Sequence, residues 1–132
     1  MQLTQLIYTS QPFGYDDLTL GGILTAARHR NQQDGITGCL ICREDIYLQL
    51  LEGPGDAVSA AYARIARDSR HASVVKLHSG ALAERTFPDW AMRHDPARSW
   101  LWTPREVEGG AARRAGAQEI LAVFARVAGE AG

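Results

Sequence analysis

Residues 36–53 read "ITGCLICREDIYLQLLEG". Two apolar runs, 36–43 and 46–53, flank Glu44 and Asp45, which is the pattern of a tight β-hairpin. Strand side chains alternate with a period of two, so Cys39 and Cys42 point to opposite faces. They can neither pair with each other nor chelate one metal, and they read as small buried hydrophobes. One residue resists this pattern. Gln49 sits among Ile46, Tyr47, Leu48, Leu50 and Leu51. Its amide carries two N–H donors and a carbonyl acceptor. Leaving such a group unpaired in a core costs about 1–3 kcal/mol. The hairpin therefore demands a partner for Gln49.

Working outward, "LTQLIYTS" (3–10) is rich in strand formers, with Leu6 and Tyr8 on one face and Leu3, Gln5 and Ile7 on the other. "QPFGYDD" (11–17) predicts a turn in which Asp16 or Asp17 caps a helix. Leu20, Leu24 and Ala27 then recur at helical spacing with Ile23 beside them, Asn31 continues the stripe, and "QQDG" (32–35) ends it. Gly21 and Gly22 weaken this helix and allow something to approach it closely. After the hairpin, residues 54–71 predict a second helix. Pro54 or Asp56 marks its start, and Val58, Ala61, Tyr62 and Ile65 form its apolar stripe. "SVVKLHSGAL" (73–82) predicts a strand, and "TFPDWAMRH" (86–94) a short edge strand.

The order β-α-β-β-α-β plus an extra strand predicts an α+β, ferredoxin-like sheet with both helices on one face. In that topology the first and third strands, which carry Tyr8 and Gln49, lie side by side. Whether both side chains face the helices is a question of parity that the sequence leaves open. The stretch 95–116 is turn-rich. Residues 117–129 predict an amphipathic helix with Ile120, Leu121, Phe124, Val127 and Ala128 on one side, suited to cover the far face of the sheet. The expected division is a core over residues 1–95 and a helical extension over 96–132.

Composition narrows the function classes. The chain has 132 residues, 45% of them hydrophobic, and a net charge of −1. A domain of this size buries a core without disulfides. Its balanced charge gives no global field for nucleic acid or a membrane surface. No stretch approaches the ~20 apolar residues of a membrane span. The four histidines show no metal-ligand spacing. The first ten residues lack the pattern of a signal peptide, so a cytoplasmic location is expected.

Three polar residues interrupt apolar elements: Tyr8, Asn31 and Gln49. Taken singly, Tyr8 reads as a core residue with a wet hydroxyl, and Asn31 as a helix C-cap. Arg64 and Asp68 read as an i, i+4 surface ion pair. Taken together, these groups could line a gap between the two helices. Its occupant would be flat and apolar, with amide-like edges that need hydrogen-bond partners.

These segments, in this order and spacing, resemble the BLUF domain, a flavin-binding blue-light sensor. "LIYTS" carries Tyr8, "RNQQDGITGCLI" carries Asn31, and "IYLQLLEGP" carries Gln49. "YARIARDSRH" carries Arg64, Ile65, Asp68, Arg70 and His71, and "RTFPDWAM" carries Phe87, Trp90 and Met92. The resemblance covers roughly residues 1–95. It implies a ferredoxin-like fold with C-terminal helices on the face opposite the paired helices, and FAD held non-covalently between those two. It implies that Asn31 bonds the carbonyl and imide edge of the flavin, and that Gln49 bridges Tyr8 and the ring. Ile65, with Leu24 or Ile23, would sandwich the ring. Arg64, Asp68, Arg70 and His71 would surround the polar end of the pocket.

The implied mechanism is a switch. Blue light makes the flavin a strong oxidant, and Tyr8 supplies an electron and, through Gln49, a proton. Recombination leaves Gln49 rotated, tautomerised or both. Trp90 and Met92 would relay the change, although as plain residues both also suit a core. The pattern departs from many members at Arg30, where Asn or His is common, and at Ala27, where some carry a serine. No output domain is recognisable after residue 95. The implied protein is therefore a short photoreceptor rather than an enzyme, a homo-oligomer that signals to a separate, unidentified partner protein. Two other classes share the fold. A light-insensitive interaction adaptor is favoured by the absence of Tyr8 or Gln49, and both are present. An acylphosphatase-like enzyme needs an anion-cradling loop with Arg near the N-terminus, where "YTSQPFGYDD" carries acids.

Overall fold

The computed structural model describes residues 3–12, 17–68, 71–88, 90–97 and 99–129, with the side chains at 17, 19, 71, 72 and 94–96 outside the description. The elements run β1 (Leu3–Pro12), α1 (Asp17–Asp34), β2 (Thr37–Arg43), β3 (Ile46–Pro54), α2 (Gly55–Ala66), β4 (His71–Leu82), β5 (Arg93–Pro96), α3 (Pro104–Glu108) and α4 (Ala117–Gly129). The strand order is β4-β1-β3-β2-β5. The first four strands pair antiparallel in the ferredoxin-like arrangement, and β5 adds parallel to β2. The hairpin forms as read, with Arg43 opposite Ile46.

Strand alternation sorts the core into two faces. Leu6 and Tyr8 of β1, Leu40 and Cys42 of β2, and Tyr47 and Leu51 of β3 pack beneath Leu20, Ile23 and Leu24 of α1 and Val58 and Ala61 of α2. Ile7, Cys39, Ile41, Leu48 and Leu50 point the other way and pack against Ile120, Phe124 and Val127 of α4. Both cysteines are buried, one on each face. Gln49 has the parity of Tyr47 and Leu51, and it lies directly opposite Tyr8 in the β1–β3 register. The two polar residues thus meet on the face that carries α1 and α2.

Two glycines of the hairpin region are used for their missing side chains. Gly35, with φ +71°, turns the chain out of α1, a conformation glycine adopts without a Cβ penalty. At Gly38, a Cβ would lie 1.9 Å from the Leu50 carbonyl oxygen in the central strand. Gly38→Ala is therefore expected to force β2 away from β3 and to destabilise by at least the 1–3 kcal/mol, roughly, of ordinary overpacking. A urea unfolding curve checks this, and an unchanged midpoint would contradict the close approach.

The sequence expectations need three corrections here. First, α2 stops at Ala66 instead of reaching 71. Arg67 N and Asp68 N bond the carbonyls of Arg64 and Ile65, three residues back, at 3.2 and 3.0 Å, which tightens and ends the last turn. Arg64 and Asp68 are thus not an i, i+4 helix pair. Second, the edge strand over 86–94 is displaced to Arg93–Pro96, so Trp90 and Met92 precede it. Third, Gly21 and Gly22 face outward, with nothing within 4 Å of a Cβ at Gly21.

The tail is tied to the sheet by polar contacts as well as by α4. Ala97 N donates to Cys42 O at 3.0 Å, and Arg43 Nη2 donates to Trp102 O at 2.9 Å. A capping box starts α3: Thr103 Oγ1 accepts from Glu106 N at 3.1 Å, and Glu106 Oε1 accepts from Thr103 N at 2.9 Å. Trp100 and Trp102 are half-buried against the far-face core, with the Arg126 guanidinium 4.3 Å from the Trp100 ring centre.

Candidate functional site

A cavity of about 190 Å³ opens between α1 and α2 above β3. Helical spacing places Ile23, Ala26, Ala27, Arg30 and Asn31 along its α1 side. Ala61, Arg64 and Ile65 come from α2, Asp68 from just beyond it, and Gln49 and Leu51 from the sheet below. The small side chains of Ala26, Ala27 and Ala61 keep the helices from filling the gap. Ile23 and Ile65 supply apolar flanks, and Arg30, Arg64 and Asp68 supply charge.

The polar end of the cavity is a short chain of hydrogen bonds. Tyr8 is fully buried, and its hydroxyl donates to Gln49 Oε1. Gln49 Nε2 donates to the Met92 sulfur at 3.1 Å. A thioether is a weak acceptor, so the Gln49 amide is held firmly at its oxygen and loosely at its nitrogen. Asn31 Nδ2 donates to Ala91 O at 2.8 Å. Among the described residues, Asn31 Oδ1, its second N–H and the second N–H of Gln49 make no hydrogen bond. One acceptor and two donors are therefore left at the end of an apolar-walled cleft. That set complements a heterocycle edge carrying carbonyls beside a ring N–H, as a flavin does.

Burial holds the Tyr8 phenol well above its usual range, assisted by the negative charge of Asp68 and then by Tyr47 and Tyr62. Tyr62 covers Tyr8 from α2, with ring centres 5.8 Å apart. Tyr8 is thus a protonated donor at neutral pH. The folded pKa is raised, so its stabilising contribution is complete below the ordinary value of 10.0 and is lost as pH rises through the higher folded value. In an alkaline titration followed at the phenolate band, Tyr8 is expected to ionise only as the far-UV circular dichroism is lost. A step near pH 10, roughly the reference value, that is present in the folded protein and missing from folded Tyr8→Phe would contradict this.

The expected site residues fall into four groups. Asn31, Gln49, Arg64, Ile65 and Asp68 line the cavity together. Tyr8 stands behind Gln49. Leu24 does not line it: it is buried in the helix-face core, and Ile23 takes the wall. Arg70 and the His71 side chain lie outside the described residues. Arg64 pairs across the gap with Asp34 at 3.7 Å instead of with Asp68. Of the two relay residues, Met92 is buried against Gln49, whereas Trp90 is 50% exposed and belongs to no core. Sequence reading missed the grip on residues 90–92. Arg28 Nε bonds Met92 O at 3.0 Å, Asn31 bonds Ala91 O, and Gly38 N bonds Trp90 O at 3.0 Å. These bonds go to backbone carbonyls, which carry no residue signature.

Among the described residues, no group of His, Cys, Asp and Glu could hold a metal, and no helix is long and apolar enough to cross a membrane.

Comparison with known proteins gives the family. The model of the BLUF family, "Sensors of blue-light using FAD", matches residues 3–93. The chain is 41% identical over 92 residues to photoactivated adenylate cyclase subunit beta of Euglena gracilis, covering 68% of this chain and 11% of that protein. It therefore spans about a tenth of that relative's length. Among solved structures, the dark state of the BLUF protein BlrB matches 98% of this chain and 97% of its own, at 27% identity and a TM-score of 0.81. The ground state of BlsA matches 96% and 87%, at 25% identity and a TM-score of 0.79. The chain belongs to the BLUF family of blue-light sensors.

Proposed function

We propose that this chain binds FAD non-covalently between α1 and α2, and that blue light is registered as a change in the hydrogen bonds of Gln49. The observation that carries the reading is the chain Tyr8–Gln49–Met92 at the polar end of the cleft. When bound, the flavin supplies a visible-light excited state that is a strong oxidant. Every other part belongs to the protein. Ile23 and Ile65 flank the ring. Asn31 offers Oδ1 and an N–H to its imide edge. Arg30 and Arg64 offer cations to its phosphates, and Ala27 lines the cavity with a small side chain.

Tyr8 holds a proton at its hydroxyl, and Gln49 Oε1 is positioned to receive it. Tyr62 and the packed sheet keep bulk water from that bond. An amide has nearly the same shape in either orientation but opposite hydrogen-bond sense at its two ends. Turning Gln49 therefore costs little volume. It exchanges the Nε2–Met92 contact for a new one and biases the neighbouring segment. These residues carry the sensing step, and the output belongs to a separate partner protein. The adaptor reading is disfavoured by the intact Tyr8–Gln49 bond.

Titration of flavin-free protein with FAD, FMN and riboflavin, followed by flavin fluorescence, tests the assignment. Saturable binding, tightest for FAD, is expected. Absence of binding to all three overturns it.

A further inference from the structure

The segment from Arg85 to Met92 reaches both faces of the sheet, at Phe87 and at Met92. Phe87 is buried in the far-face core beside Phe124, with ring centres 6.3 Å apart and nearly perpendicular. Met92 is buried in the helix-face core. Strand β3 touches this segment at both ends. On the helix face, Gln49 Nε2 reaches Met92. On the far face, three residues along and with opposite parity, the Glu52 carboxylate is completely buried. Its oxygens accept from Thr86 N at 2.8 and 2.9 Å, Phe87 N at 2.9 Å and Gln5 Nε2 at 3.1 Å. A buried carboxylate satisfied by backbone N–H groups is a strong and directional anchor.

A second clamp lies beside it. Arg85 Nη1 bonds Glu52 O at 3.0 Å and Thr37 Oγ1 at 2.8 Å, and Nη2 bonds Gly35 O at 2.8 Å. Residues 85–87 are therefore tied to β3 and to the start of β2.

We infer that Glu52, supported by Arg85, is a positioning residue for Met92. It fixes the far end of the 85–92 segment, so that a change at Gln49 displaces the Met92 end against a held anchor. Without the anchor, the segment follows Gln49 loosely and the displacement is dissipated. Glu52 touches neither the cavity nor Tyr8, so it acts on transmission and not on the optical change. The inference rests on the photoreceptor reading for its light-dependent part only.

The sequence contains two methionines, Met1 and Met92. A ¹³C-methyl-methionine NMR spectrum of the full chain therefore reports Met92 almost alone. Glu52→Gln and Arg85→Gln are compared with wild type, without flavin and with FAD, in the dark and after blue light. Arg85 is partly exposed, so Arg85→Gln keeps the test open if Glu52→Gln does not fold. In flavin-free protein with unchanged far-UV circular dichroism, the Met92 methyl resonance is expected to move or broaden. In FAD-loaded variants the absorption shift is expected to persist, while the light-induced displacement of the Met92 resonance falls to less than half the wild-type value. An unchanged flavin-free resonance in a folded variant overturns the inference, as does a full-sized light displacement. If wild type takes up no FAD, that failure falls on the photoreceptor reading, and the flavin-free comparison still decides the position of Glu52.

Discussion

Gln49→Leu is expected to keep the fold and bind flavin but to show no light-induced spectral shift. Leucine is close to glutamine in size and suits a strand whose neighbours are Leu48, Leu50 and Leu51. The cavity walls Ile23, Ile65 and Asn31 remain. What disappears is the acceptor for the Tyr8 hydroxyl and the donor to Met92. Removing the acceptor of the buried hydroxyl costs about 1–3 kcal/mol, and the added apolar burial offsets part of it. The change in stability is therefore modest, whereas the loss of switching is complete, because the Gln49 amide is the group that joins the Tyr8 hydroxyl to the cavity end of β3. Tyr8→Phe is expected to give the same optical silence by removing the proton donor while keeping the ring against Tyr62. A light response of wild-type size in either variant would exclude the pair as the switch.

Phe124→Ala is expected to give the largest loss of stability. Phe124 is fully buried at the centre of the far-face core, against Phe87 and beneath Ile7, Leu48 and Leu50. Truncating such a ring removes its burial and leaves a cavity, which costs about 3–5 kcal/mol. That is a large part of the roughly 5–15 kcal/mol that typically separates folded from unfolded chains. Chemical denaturation should show a strongly lowered midpoint. If α4 covered the sheet only loosely, the midpoint would shift by no more than a surface substitution does. The size of the loss thus measures how far the tail and the sheet share one core.

Much of this could be read from residue pattern because it depends on local alternation. The hairpin at Glu44–Asp45, the opposite faces of Cys39 and Cys42, and the buried stripe of α4 all follow from periods of two and 3.6. Asn31, Gln49, Arg64 and Ile65 were legible as polar or flanking residues on the right elements, Asp68 falls just past the helix it was read on, and the structure brings all five to one cavity. The facing of Tyr8 and Gln49 was not legible. It depends on the β1–β3 register, which is set across 41 residues of sequence. Ile23 and Leu24 differ by one step of helix rotation, and both are buried, so only packing decides which lines the cavity.

Other features were hidden for different reasons. The strand expected at 86–94 fails because that segment is held by side chains reaching its backbone, from Asn31, Arg28 and Glu52, and by Gly38 N at Trp90 O. Nothing local marks Glu52 as an anchor, since its three N–H partners on Gln5, Thr86 and Phe87 lie far away in sequence. The capping box Thr103–Glu106 was present as a signature, and it marks α3 within a stretch read only as turn-rich.

The most direct test of the account is the absorption spectrum of the FAD-loaded protein, recorded in the dark and again after blue light. A small red shift of the flavin bands that reverses in the dark is the predicted result. Bound flavin whose bands stay in place after illumination would contradict the claim that Gln49 changes its hydrogen bonds in response to light.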